Sequence, residues 1–228
     1  MKIIDRQLTY LTVGQTLLMG MLDAYTFSHF DGAFASAQTG NLVVFGVALS
    51  QQGWRTAASH LPIFFGFLIG AILAQLIRQQ AAPLKPTTRL KLFTGLSIIL
   101  PLALLALQPG PKWLSLSLLG LFASYELTIF NQIGTTTVNN GIMTGNIKNF
   151  GNSIYTFLSH PSTATGLKVG HFAIGIGTFI LGVILGCSWF NQSPQLILLG
   201  GAVMNLSFLI YLTVVNRQPV TLLKKDEF

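Results

Sequence analysis

Acidic side chains are scarce in this chain: Asp and Glu together number 6 in 228 residues, against 13 Lys and Arg. Charged residues make up 8% of the sequence, where a soluble domain carries roughly 25%. So few ionisable groups cannot coat a soluble fold of this size, and no large soluble domain fits. Cysteine is rarer still. Cys187 stands alone, which excludes a disulfide framework. Within an apolar run it reads as a buried thiol. The 4 His and the few acids are too scattered for a metal cluster. No HExxH, GxSxG or Walker pattern occurs. No enzyme chemistry, metal or cofactor is expected. The net charge of +7 is spread between apolar segments. Such charges read as topology signals, not as a nucleic-acid surface.

Apolar residues dominate instead, at 51% of the chain with a mean hydropathy of +0.62. The expected class is an all-α polytopic membrane protein in contact with a lipid bilayer. Six stretches approach the roughly 20 residues needed to cross: Leu8–Ser28, Leu61–Ile77, Leu92–Gln108, Trp113–Phe130, Val169–Phe190 and Leu196–Val215. The charged start Met1–Arg6 leads into a run too long for a signal-peptide core, so the first span is read as retained. Two further segments, 40–50 and 145–158, are shorter and more polar. If both turn back, Lys2, Arg6, Arg78, Lys85, Arg89, Lys91, Lys168, Arg217, Lys224 and Lys225 fall on one side. Only Arg55 and Lys112 fall on the other. If both cross, the basic loop from Arg78 to Lys91 changes side. The positive-inside rule therefore favours six spans with both termini cytoplasmic.

The segment Thr39-Gly40-Asn41-Leu42-Val43-Val44-Phe45-Gly46 returns in the second half as Thr144-Gly145-Asn146-Ile147-Lys148-Asn149-Phe150-Gly151. Thr, Gly, Asn, Phe and Gly repeat at equal spacing. Each copy follows an apolar segment with one acid, Asp23 or Glu126, read as near-equivalents. The chain is expected to be two repeats, 1–108 and 109–228, divided at the turn Gln108-Pro109-Gly110-Pro111-Lys112. Three spans per repeat is an odd number, so the copies enter the membrane in opposite orientations, as an inverted repeat.

An 11-residue helix, 40–50, is about 16 Å long at 1.5 Å per residue, half of a roughly 30 Å hydrocarbon core. The two short helices are therefore expected to be re-entrant, each preceded by irregular backbone along a wet cavity. The polar string Gly134–Gly141 suits such a wall. Thr39 and Thr144 are the expected N-caps. Two half-helix N-termini meeting at mid-depth would offer free N–H groups and positive dipole ends. Asp23, Thr39, Gly40, Asn41, Glu126, Thr144, Gly145, Asn146 and Lys148 are the candidate substrate-binding residues. For Asp23 and Glu126 the alternatives are a proton or cation site, an interfacial carboxylate, or a structural pair with Lys148. Lys148, opposite Val43 in the repeat, is the expected cationic partner of an acid or of a solute anion. His171, His29 and Asp31 read as interfacial, and Asn205 as a helix-to-helix hydrogen bond. Pro101 is expected to kink its span. Gly66-x-x-x-Gly70 and Gly182-x-x-x-Gly186 permit close helix contact, within one protomer or in a homo-oligomer.

The stretch Gly20–Phe27, with Gly20, Asp23 and Ala24, and then Gly32-Ala33-Phe34 and Gln38-Thr39-Gly40-Asn41, resembles the YoaK-like family of bacterial integral membrane proteins of unknown function. Thr135-Thr136-Thr137 and Met143-Thr144-Gly145-Asn146 match again. The resemblance covers nearly the whole chain. Gln38 stands where the pattern usually has Met, and Glu126 where it more often carries Gln-Asn. What the resemblance implies is a fold and an address in the bacterial cytoplasmic membrane, with no substrate. The expected function is a small secondary transporter or channel for a polar or anionic solute. The alternative is a non-transporting scaffold or accessory subunit of a larger membrane complex.

Overall fold

The structure, a computed structural model, describes residues 3–107, 110–188 and 194–215. Gln108 and Pro109 of the expected inter-repeat turn lie outside the described residues, as do Phe190 and the basic residues Lys2, Arg217, Lys224 and Lys225. The chain is helical almost throughout. Its helices are α1 (Ile3–His29), α2 (Gln38–Gln51), α3 (Trp54–Ala57), α4 (Leu61–Gln80), α5 (Pro86–Ala106), α6 (Lys112–Ile129), α7 (Met143–Ser159), α8 (Thr163–Ser188) and α9 (Pro194–Val215). A 3₁₀ turn, Ala58–His60, joins α3 to α4. Two short strands, β1 (Gln132–Ile133) and β2 (Thr136–Thr137), pair antiparallel after α6. Each of the eight apolar or half-polar segments read from the sequence is a helix.

Local chemistry sets several boundaries. Pro86 opens α5, where its missing N–H costs nothing. Ser162 and Thr165 cap α8 reciprocally, each side-chain oxygen accepting the other's backbone N–H at 3.1 and 3.0 Å. α1 stops where Asp31 and Gly32 take φ of 52° and 77°. Gly adopts that left-handed region freely, and Asp more easily than most residues.

Helix pairing depends on missing side chains. A Cβ at Gly66 or Gly70 would strike the carbonyls of Ser117 or Leu121, and one at Gly120 the Ile63 carbonyl. The same happens between Gly182 and Leu17, between Gly186 and Met21, and between Gly20 and Phe179. Both glycine pairs therefore make contacts inside one protomer. Because 66 and 70 advance with 117 and 121, α4 and α6 run parallel; so do α8 and α1. α5 packs against α9. Gly20 and Gly120 hold matching places, and Tyr25 then matches Tyr125. In that register Asp23 falls opposite Ala123, and Glu126 opposite Thr26. The acids are not equivalents of each other, which corrects the sequence reading.

The ends of the helices sort into two groups. Ile4 of α1, Arg78 of α4, Pro86 and Arg89 of α5 and Ile129 of α6 share a cleft of about 260 Å³. At the opposite end Lys112, which opens α6, donates to the Asp31 carboxylate just after α1. Asp31 and His60, just before α4, share a cleft with Val47 and Ala48 of α2. So the end of α1 and the starts of α4 and α6 lie together, and α2 comes back toward them.

Four helical stretches are long and apolar enough to cross a membrane: Trp54–Gln80, Pro86–Ala106, Thr163–Ser188 and Gln195–Val215. Buried residues make up no more than 33% of the apolar stretch in any of them. Ile69, Ile72, Leu76, Ile180, Ile184 and Ile210 are exposed. A soluble protein would bury such faces, whereas lipid accepts them. The central helix is the reverse: α1 buries Gln7, Thr12, Gln15, Thr16, Asp23 and Thr26.

Candidate functional site

The repeated Asn residues act alike. Asn41 reaches back to Phe34: its Oδ1 accepts the Phe34 N–H at 2.8 Å and its Nδ2 donates to the Phe34 carbonyl at 2.7 Å. Asn146 does the same to Asn139, at 3.0 and 2.6 Å. Each amide also donates to the side chain three residues before it, Gln38 Oε1 at 2.9 Å or Met143 Sδ at 3.4 Å. So Gln38, the departure from the usual Met, keeps the acceptor role. The side-chain amide thus replaces a missing strand partner for the irregular backbone before each helix. Thr39 and Thr144 do not cap these helices. The helices begin two residues earlier than expected, after Ala37 and Ile142, without a side-chain cap bond, and both Thr residues are exposed. Gly40 and Gly145 sit beside Phe34 and Asn139, the residues that the Asn side chains hold.

The backbone before α2 is held by side chains. Three successive N–H groups, Phe34, Ala35 and Ser36, donate to Asn41, Thr26 Oγ1 and Asp23 Oδ1. Ser36 Oγ donates to the other Asp23 oxygen at 2.6 Å. Asp23, 4% exposed, thus ties the loop to α1. Gly40 and Asn41 N–H groups are taken by the Ala37 carbonyl at 3.0 and 3.3 Å. Two of the free N–H groups expected at the start of α2 are therefore occupied, because a turn of 3₁₀ type closes on itself there.

The two motif loops touch. A Cβ at Gly141 would lie 2.6 Å from both Cβ and Oγ of Ser36. Gly141 and Ser36 hold the same place relative to their motifs, so equivalent points meet. Beside this contact lies a cavity of about 540 Å³ that reaches Asp23, Phe34, Met143, Thr144 and Phe179. Cys187 lines it too and is exposed, not buried as its apolar surroundings suggested.

Glu126 has a different setting. It is fully buried, and neither carboxylate oxygen has a hydrogen-bond partner. The Ser97 hydroxyl faces it but donates to the Phe93 carbonyl at 3.2 Å. Lys148 pairs with neither acid. It is exposed on α7, and among the described residues the one ion pair joins Asp31 and Lys112. The expected pairing fails because Lys148 projects from the side of α7 away from buried Asn146.

A second cleft, of about 530 Å³, lies between the strand turn, α7 and α8. Thr135, Thr137, Asn149, Asn152, Thr156 and Lys168 line it. Its only charged residue is a cation. Of the polar string 134–141, Thr135, Thr136 and Thr137 line this cleft. Asn149, Asn152 and Lys168 were not singled out as site residues. The signal for the two Asn residues was the polar stripe at positions 149, 152, 153 and 156 along α7. His171, expected to be interfacial, meets Thr136 Oγ1 at 2.9 Å and lies under Gly134. Among the described residues no cluster could hold a metal ion.

Apolar faces outside, polar helices inside and irregular buried loops held by side chains define the class, an all-helical, multi-pass membrane protein. The chain belongs to the family described as Protein of unknown function (DUF1275), whose model matches residues 11–211. The YoaK-like resemblance holds in this coarser form, a family without an assigned function. No curated protein and no solved structure matches the chain.

Proposed function

We propose that the chain is a small secondary transporter or channel of the cytoplasmic membrane that carries a polar or anionic solute. The observation that carries the reading is the polar cleft with Lys168 as its one charge. Hydroxyls and amides in that number are costly against lipid, so they belong to a water-filled space. A lone cation among neutral hydrogen-bonding groups selects for negative or polar solutes.

The proposed topology is six crossing helices, with α2 and α7 re-entrant, in two inverted repeats of 1–108 and 109–228. Three contacts support it. Asp31 with Lys112 brings the end of α1 beside the start of α6, which fails if α2 crosses. Asp31 with His60 brings α4's start to that same end. Ser36 with Gly141 joins equivalent points, as a two-fold axis requires. Arg78, Arg89 and the start of α1 share the other end, which the positive-inside rule assigns to the cytoplasm. The Lys168 cleft lies at the start of α8, and in this topology it opens to the cytoplasm.

Purified protein in proteoliposomes tests the function with labelled small carboxylates, inorganic phosphate, chloride and nucleobases as probes. Uptake of at least one probe is expected, reduced tenfold or more by Lys168→Met at equal protein abundance. No uptake of any probe, or unchanged uptake in Lys168→Met, would overturn the reading and favour the scaffold alternative.

A further inference from the structure

Around Glu126 runs a seam of buried polar groups drawn from four helices and the loop after α6. Asn205 of α9 donates through Nδ2 to the carbonyls of Ser97 at 3.4 Å and Gly201 at 3.0 Å. Those two acceptors fix which end of the Asn205 amide is oxygen. Its Oδ1 accepts Gln15 Nε2 of α1. Gln15 Oε1 is therefore left over, buried and without a partner. Asn140 donates to the Glu126 backbone carbonyl at 3.0 Å, which orients that amide as well and leaves Asn140 Oδ1 unpartnered. With both Glu126 oxygens, the seam holds four unpartnered acceptor atoms. The nearby hydroxyls cannot balance them. Ser97 and Tyr125 both donate to the Phe93 carbonyl. Ser124, buried and unpartnered, supplies at most one donor.

An excess of acceptors in a buried interior calls for something positive. A bare carboxylate buried without a counter-charge is prohibitively costly. We propose that Glu126 is a proton-binding site, which takes a proton from water and returns it to water, within the seam of Gln15, Ser97, Asn140 and Asn205. The protonated carboxyl then offers its O–H to one of the orphaned acceptors, and its own acceptor demand falls. Few ionisable groups face it. Tyr125 is its neighbour on α6, with its hydroxyl on Phe93. From α5 the Ser97 hydroxyl faces it; behind Ser97 stand the amides of Asn205 on α9 and Gln15 on α1, and the following loop brings Asn140 to its backbone carbonyl. Asp23 on α1 is occupied by Ser36. The α4 face against α6 is built of Ile63, Gly66, Gly70 and Ala74, with no titratable group. Use of this proton to drive solute movement rests on the transporter reading, but the site itself does not.

Infrared difference spectroscopy of the purified full chain tests the site without any solute. A protonated-carboxyl carbonyl band is expected in the wild type, shifting in heavy water and vanishing reversibly as pH is raised. Glu126→Gln, which mimics the neutral carboxyl, should fold normally and lack the band. Glu126→Asp should retain it at a shifted midpoint. Asp23→Asn should leave it in place. No such band in the folded wild type would overturn the proposal. So would a band that survives alkaline pH or ignores heavy water, since that proton is fixed. A rise in the thermal midpoint with sodium chloride over choline chloride, lost in Glu126→Gln, would replace the proton by a sodium ion. Failed uptake with the band intact would sink transport alone.

Discussion

The two motif copies share a device and differ in what surrounds it. Asn41 and Asn146 clasp their preceding backbone in the same way, with the same reach. Around the first copy the loop is held by side chains of α1. Asp23 takes both Ser36 groups and Thr26 takes Ala35. Around the second copy the loop is longer, carries β1 and β2, and opens into the Lys168 cleft. Its acid, Glu126, answers nothing. The same motif thus stands once in a braced loop and once beside an open polar cleft. An unsatisfied buried group is costly, and a fold tolerates it where the group has another task.

The largest effect should come from the helix crossings common to both halves. Gly182→Val and Gly66→Val each drive a side chain into facing backbone, with about 3 kcal/mol or more of destabilisation. Folded yield in detergent should collapse for both. Gly46→Ala and Gly151→Ala, where a Cβ meets nothing within 4 Å, should match or exceed the wild type. If the motif glycines prove as sensitive as Gly182, they serve contacts absent from a single chain.

Next come the clasps. Asn41→Ala and Asn146→Ala each strand a backbone N–H and carbonyl. The expected loss is roughly 1–3 kcal/mol, the cost of a polar group left unpaired, because both clasps are only partly buried. Thermal unfolding followed by circular dichroism should show near-equal shifts. Unequal shifts would mean that water already reaches one loop, and the open second copy is where to look.

The acids separate the copies most sharply. Asp23→Asn removes a carboxylate with two donors and should cost about 1–3 kcal/mol. Glu126→Gln removes a carboxylate with none and should be neutral or stabilising. Equal losses in both would break the contrast between brace and site.

The smallest effect is at the surface. The Lys112 ammonium, donating to Asp31, holds that carboxyl below its ordinary range. The resulting stability is present above the carboxylate's unfolded pKa and fades as pH falls through the lowered folded value. Both side chains are exposed, at 47% and 68%, so less than about 1 kcal/mol is at stake. Asp31→Asn should flatten that acid limb and weaken with salt in the wild type. A large loss would point to a structural role for the joint between α1 and α6.

Much of this was legible in the linear chain because it rests on local rules. Apolar length located six of the main helices, since each run had to be covered by lipid or protein, and the two shorter, more polar ones stood out through the repeated motif. The repeat Thr-Gly-Asn announced a shared backbone role, and Gly66 and Gly182 announced close crossings. What could not be read was pairing. Asp23 and Glu126 looked equivalent because each is the one acid of its half, and only contact with α8 or α4 sets the register that separates them. Lys148 looked like a counter-ion because it was the one basic residue on either short helix, yet helix rotation turns it outward.

Composition and periodicity by themselves determined that this chain meets lipid, where its helices run and which segment was duplicated, because hydrophobic burial and backbone hydrogen bonding act along the chain. Which acid is satisfied, which amide is orphaned and where a polar cleft opens were decided only by the tertiary structure. Those properties depend on donors and acceptors far apart in sequence, such as Gln15, Ser97 and Asn205, whose meeting no local pattern encodes.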